Sequence, residues 1–164
     1  MLTPTQKLNI RKEITAWGLA LIANADHVHY TQARPFSYYD NPSARNIELD
    51  CSGTVGNVFW NAMHDTGIFI ADPLGYRYTG YGNTTSMEAW LRKYGKPVTE
   101  VNGYLVGDIT RYGQGERAHT TVCIKAGSAK ASQWLSNGSE GGPYNLSLGY
   151  RNDLIGCWRH PALI

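Results

Sequence analysis

The chain reads as an α+β fold, and three observations carry that expectation. Apolar residues recur at helical spacing in three segments before residue 95. After residue 103 the apolar residues sit in short alternating runs. Gly-rich turns separate those runs, so helices come first and strands follow. The length of 164 residues fits one domain spanning 1–164. With 42% hydrophobic and 17% charged residues, a disordered chain is excluded.

Thr3-Pro4-Thr5 starts the first helix, with proline in the first turn. Leu8, Ile10, Ile14, Trp17, Leu21 and Ile22 give it an apolar side, and it reaches Asn24. Its second half, Trp17 to Ala25, follows Arg11 and Lys12 and ends in an A-x-A-like triplet, a leader-like pattern. Glu13 and the helical period favour a helix of the folded domain. The chain is therefore expected to be made in the cytoplasm without a signal peptide. Residues 26–49 carry no clean period and read as a long ordered loop.

Asp50 to Asp65 is the second helix, with Val55, Val58, Phe59 and Met63 on its apolar face. Residues 66–85 read as loop, punctuated by Asp72-Pro73 and Gly80-Tyr81-Gly82. Ser86 to Tyr94 reads as a short helix capped by Ser86. Strands are expected over Gly103–Tyr112, His119–Ala126 and Ala131–Leu135.

Net charge is +2, from 15 Lys and Arg against 13 Asp and Glu. No basic block is present, which argues against a nucleic-acid partner. No run reaches the roughly 18 apolar residues of a membrane span, so no membrane insertion is expected. A weakly basic surface suits an anionic polymer such as a bacterial wall. The three cysteines, Cys51, Cys123 and Cys157, are too few and too far apart for a disulfide framework.

Cys51 stands where loop becomes helix. Unpaired N–H groups and the positive end of a helix stabilise a thiolate there, and the same N–H groups receive an oxyanion. A small buried hydrophobe is the alternative reading of the same residue. His119 opens a strand whose alternation puts His119, Thr121 and Cys123 on one face, and Thr120, Val122 and Ile124 on the more apolar one. That directs His119 to a cleft, where it serves as a general base if Cys51 is within reach. Asn137 or Glu140 is the candidate third group to orient the imidazole, and both are equally ordinary turn residues. His27-x-His29 and Cys157-x-x-His160 lack the partner pairs a zinc site needs, so no metal is expected. No phosphate-binding glycine motif is present.

Asp50-Cys51-Ser52-Gly53, followed by Gly107-Asp108 and then His119, resembles the NlpC-type peptidases, papain-like cysteine enzymes of the bacterial wall. His29-Tyr30-Thr31-Gln32-x-Arg34-Pro35, Asp72-Pro73, Tyr78-Thr79-Gly80, Gly138-Ser139-Glu140-x-Gly142-Pro143 and Tyr150-Arg151 are similar to peptidase domains of endolysins from phages of actinobacteria. The resemblance covers about residues 24 to 160. It implies a papain-like arrangement, with the nucleophile at a helix start packed on a small antiparallel sheet. It also implies Cys51 as nucleophile, His119 as base, and Asn137 or Glu140 as third residue. Tyr30, Asp50 and Ser52 fall on the substrate and oxyanion side. The chain departs from the pattern at Thr120-Thr121, where Val-Gly is usual, and at Asn137, where His is frequent. The implied activity is cleavage of a peptide bond in the peptidoglycan stem or cross-bridge, by a monomer without cofactor, for lysis of a phage host. Amidase action on the same Cys–His pair and a non-catalytic wall-binding or virion module are the competing expectations.

Overall fold

The structure is a computed structural model that describes residues 1–164. Helix α1 (Pro4–Ala23) opens with a capping box. The Gln6 N–H donates to the Thr3 hydroxyl, and the Thr3 N–H donates to the Gln6 side chain. Ile10, Ile14, Trp17 and Leu21 are its buried side. The leader-like stretch forms the last turns of this helix. There the Trp17 indole donates to Asp65 at 2.7 Å.

Helix α2 (Cys51–Thr66) starts at Asp50, whose carboxylate accepts from the Gly53 N–H at 2.7 Å. It is buried on nearly every side of its first three turns. Val55, Val58, Phe59 and Ala62 enter the main core, where each of the three larger side chains contributes up to about 1.5–3 kcal/mol. Its buried polar residues hold the preceding segment. Asn57 accepts from the Tyr39 N–H and Asn61 donates to the Tyr39 carbonyl. The segment read as loop is thus ordered, and it includes a parallel pair of two-residue strands, β1 (Val28–His29) and β2 (Ile47–Glu48).

Helix α3 (Thr84–Tyr94) begins two residues before the expected start. Asn83 is the cap, and Ser86 is the reciprocal partner of its capping box.

The remaining strands form one antiparallel sheet in the order β3-β8-β4-β5-β6-β7. They are β3 (Lys96–Pro97), β4 (Asp108–Tyr112), β5 (His119–Lys125), β6 (Gln133–Gly138), β7 (Gly141–Leu146) and β8 (Leu154–Arg159). One face sends Ile109, Val122, Ile124 and Leu135 into the core shared with α1 and α2. The other face carries a second cluster of Tyr104, Cys123, Trp134, Leu148 and Cys157. All three cysteines are free and buried, and Cys123 and Cys157 serve this packing. No helix is long and apolar enough to cross a membrane.

Three strand expectations change. The 103–107 stretch contributes only a bridge between Tyr104 and Gly127 before β4 begins. The cause lies in Gly107, whose φ of +87° turns the chain, and in Asp108. The Asp108 carboxylate accepts from the Leu105 N–H and binds Arg159 through both oxygens. The strand expected over Ala131–Leu135 runs instead from Gln133 to Gly138. The Gly141-Gly142-Pro143 run, read as turn, belongs to β7. Glycines at φ +137° and +126° permit that backbone, and an edge strand tolerates a proline. Strand β8 is additional. It lies between β3 and β4 in the sheet.

Candidate active site

The Cys51 side chain lies at the first turn of α2, almost completely buried. The N–H groups of Cys51 and Ser52 precede the first possible helical acceptor, so they stay free to bind an anion. The Cys51 Sγ meets the Thr84 hydroxyl at 3.6 Å, at the start of α3. It also faces the backbone N–H of Thr120, the peptide group that joins His119 to Thr120. The start of α2 thus abuts the backbone at the start of β5.

Opposing forces act on the thiol. Burial and then the Asp50 carboxylate push it up. The Thr84 hydroxyl and the Thr120 and Ser52 N–H groups pull it down, and the net direction is upward. The helix-terminus argument alone pointed the other way. A helix end contributes roughly 0.3–1 kcal/mol, whereas full burial shifts a group by up to about 3–5 pKa units, so burial prevails.

His119 is buried between Tyr112 and Tyr150, with ring centroids 6.4 and 6.3 Å away. Burial pushes it down to about 4, with Glu140 opposing and Arg151 adding to the shift. Its Nε2 bonds the Ser136 Oγ at 2.8 Å, across the strand pair β5–β6. The side chain that meets the imidazole is therefore Ser136, where the sequence pointed to Asn137 or Glu140. Asn137 is buried on the opposite face of β6. It donates to the Leu49 carbonyl at 2.9 Å and to the Thr54 hydroxyl at 3.0 Å. It moors the sheet to the turn that presents Cys51. Glu140 lies in the β6–β7 turn and lines the cleft beside His119.

Asp50 and Ser52 face a third partner. The Arg34 guanidinium bonds Asp50 at 2.5 Å and Ser52 at 3.1 Å, and the Ser52 hydroxyl donates to Asp50. Both side chains are engaged in holding the turn, and the backbone N–H of Ser52 faces the Cys51 thiol. Tyr30 borders two adjoining hollows of about 380 and 420 Å³. The first contains Cys51, Arg34 and Thr84, and the second contains His119, Glu140 and Arg151. Glu116 and Ala118 border both as well, so the two hollows adjoin along these residues.

Sequence reasoning did not single out Ser136, Thr84, Arg34 or the role of Tyr150. The Tyr150 hydroxyl is buried near Ser136 without a well-formed hydrogen bond. Strand alternation held a usable signal for Ser136, which lies opposite Thr121 and shares the face of His119. No cluster of three or more His, Cys, Asp or Glu side chains is placed to hold a metal ion.

Among solved structures, the chain is similar to an NLP/P60-family protein from Staphylococcus aureus, described as similar to lipoprotein. The TM-score is 0.52 at 14% identity, over 92% of this chain. The fold is NlpC/P60-like. The chain spans 41% of the length of that protein. No protein-family model matches the chain, and no curated protein matches it either. The NlpC/P60-like layout agrees with the α+β arrangement of a helix start packed on an antiparallel sheet.

Proposed function

We propose that the protein is a thiol peptidase of bacterial peptidoglycan. The observation that carries this reading is the meeting of the Cys51 thiol with the His119–Thr120 peptide, in an open cleft, with the imidazole Nε2 already engaged by Ser136. With Nε2–H donating to Ser136, Nδ1 is the basic nitrogen left for the thiol. Nδ1 takes the proton as Sγ attacks the peptide carbonyl carbon. The N–H groups of Cys51 and Ser52 hold the oxyanion. Protonated Nδ1 then gives the proton to the leaving amine. Water, deprotonated by Nδ1, attacks the thioester, and the thiol is restored.

The NlpC/P60-like fold, together with the motifs around Cys51 and His119, supports a wall peptide as substrate. The endolysin-like motifs support a role in lysis of a phage host, with action at the wall and no cofactor. An amide bond between muramic acid and alanine is the competing target, since fold and dyad do not choose the bond.

The test is digestion of purified actinobacterial peptidoglycan by the protein, with an iodoacetamide-treated sample as blank. Mass spectrometry of the soluble products is expected to show cuts within the stem or cross-bridge. Lactyl-terminated glycans paired with intact stem peptides indicate the amidase instead. No product beyond the blank overturns the enzyme reading.

Ser136 acts on this chemistry through His119. Ser136→Ala is expected to lower kcat about tenfold, the loss of roughly 1.4 kcal/mol of hydrogen bonding, with KM unchanged. Ser136→Thr, which keeps the hydroxyl, restores it. A purely structural role would show equal unfolding losses and no rescue.

A further inference from the structure

The largest cavity lies outside the cysteine cleft. It has about 730 Å³ and is walled by Trp90 and Tyr94 of α3, Phe69, Tyr78, Arg77 and Pro161. We infer that it is a saccharide-binding site for the glycan strand of the wall polymer, a reading that rests on the peptidoglycan function above.

Its aromatic walls are held in place. Trp90 stacks on His160 at 5.1 Å and inclines to Tyr94 at 5.4 Å. His160 is itself fixed, since its Nε2 meets the Ala71 carbonyl and its Nδ1 accepts from the Ala162 N–H. Phe69 is 79% exposed and Tyr94 is 49% exposed, a large apolar surface to leave in water without a ligand. Aromatic faces of this kind match the C–H face of a pyranose, and the few polar groups set orientation.

The polar groups select what enters. The Asp72 carboxylate is occupied by the N–H groups of Leu74, Tyr76 and Tyr78. Those bonds hold a loop in which Arg77 and Tyr78 both take positive φ, +54° and +58°. Such backbone is rare for residues with side chains and clusters at ligand clamps. Arg77 is exposed and makes no ion pair or side-chain hydrogen bond of its own. The lining therefore presents one free fork of donors and no free carboxylate. This suits a ligand rich in acceptors, with hydroxyl and acetamide oxygens, such as an N-acetylhexosamine glycan.

Position links the cavity to the cleft. Thr84 touches the thiol at one end of α3, and Trp90 lines the cavity six residues on, about 9 Å along the helix. The thiol and the cavity therefore both abut α3.

The test uses the full chain carrying Cys51→Ala, so that no turnover occurs, with two probes. These are tetra-N-acetylchitotetraose and wall glycan strands stripped of their peptides. Tryptophan fluorescence is expected to change saturably with both. Tyr94→Ala and Arg77→Ala, at exposed positions that leave folding intact, are expected to weaken binding tenfold or more. Flat titrations with both probes, affinities unchanged in both variants, or displacement by a free stem peptide alone overturn the site. Binding without wall hydrolysis by the unmodified protein removes the peptidase reading only. Hydrolysis with flat titrations removes the glycan site only.

Discussion

Cys51→Ala is expected to lower wall hydrolysis by about 10⁴-fold or more while leaving the unfolding midpoint nearly unchanged. The side chain lost is small, and its one side-chain partner is the Thr84 hydroxyl. The rate loss is large because, in the proposed mechanism, Cys51 is the group that attacks the carbonyl carbon. The same geometry fixes the pH dependence. His119 is held down to about 4 by burial, and the Cys51 thiol is pushed up by burial and then by Asp50. At neutral pH these shifts favour a thiol and a neutral imidazole over a thiolate and an imidazolium. The imidazole stays basic until pH falls through about 4, so the acid limb of kcat/KM belongs there and not near 6.5. Alkylation of Cys51 by iodoacetamide is expected to rise steadily above neutrality, with no plateau between pH 5 and 8. A plateau in that window shows a preformed ion pair and removes this account of the site.

The helices were legible from their apolar spacing, and the starts of α1 and α2 from local signals, while the α3 cap fell at Asn83 and not at Ser86. Thr3 with Gln6 and Asp50 with Gly53 are local patterns, and the structure uses both. Cys51 and His119 stand at the element starts where the sequence put them. One sits at a helix start and the other at a strand start, and each position suggests its chemistry. What escaped the sequence depends on strand pairing. Ser136 and Asn137 are neighbours in the chain and face opposite sides of β6. Their roles exchange with a shift of one residue in register. Gly141-Gly142-Pro143 carries turn chemistry and yet runs as an edge strand, because Trp134 and Ser136 of β6 pair with its continuation at Leu146 and Tyr144. Arg34 lies 16 residues before its partner Asp50, in a segment with no period, and only the fold brings them together.

Asp50 is where stability and reactivity pull apart. Its Oδ1 accepts from the Gly53 N–H and the Ser52 hydroxyl, and its Oδ2 takes Arg34. Arg34 also donates to the Gly82 carbonyl, so one carboxylate joins the start of α2 to two loops. Both partners of the ion pair are largely buried, 19% and 8% exposed at the side chain. Asp50→Ala removes the helix cap and leaves Arg34 without its counter-ion. A loss of about 3 kcal/mol or more is expected, read as a lower midpoint in urea unfolding. Asp50→Asn keeps the acceptor for Gly53 and Ser52 and loses only the charge, so its loss is expected to be about half as large. In the same variant the thiol is expected to become more acidic, because the Asp50 charge is second only to burial in holding it up. Iodoacetamide alkylation of Asp50→Asn then shifts to lower pH while its urea midpoint falls. If both variants unfold with the wild type, or if the alkylation profile of Asp50→Asn does not move, the carboxylate neither braces this turn nor sets the thiol.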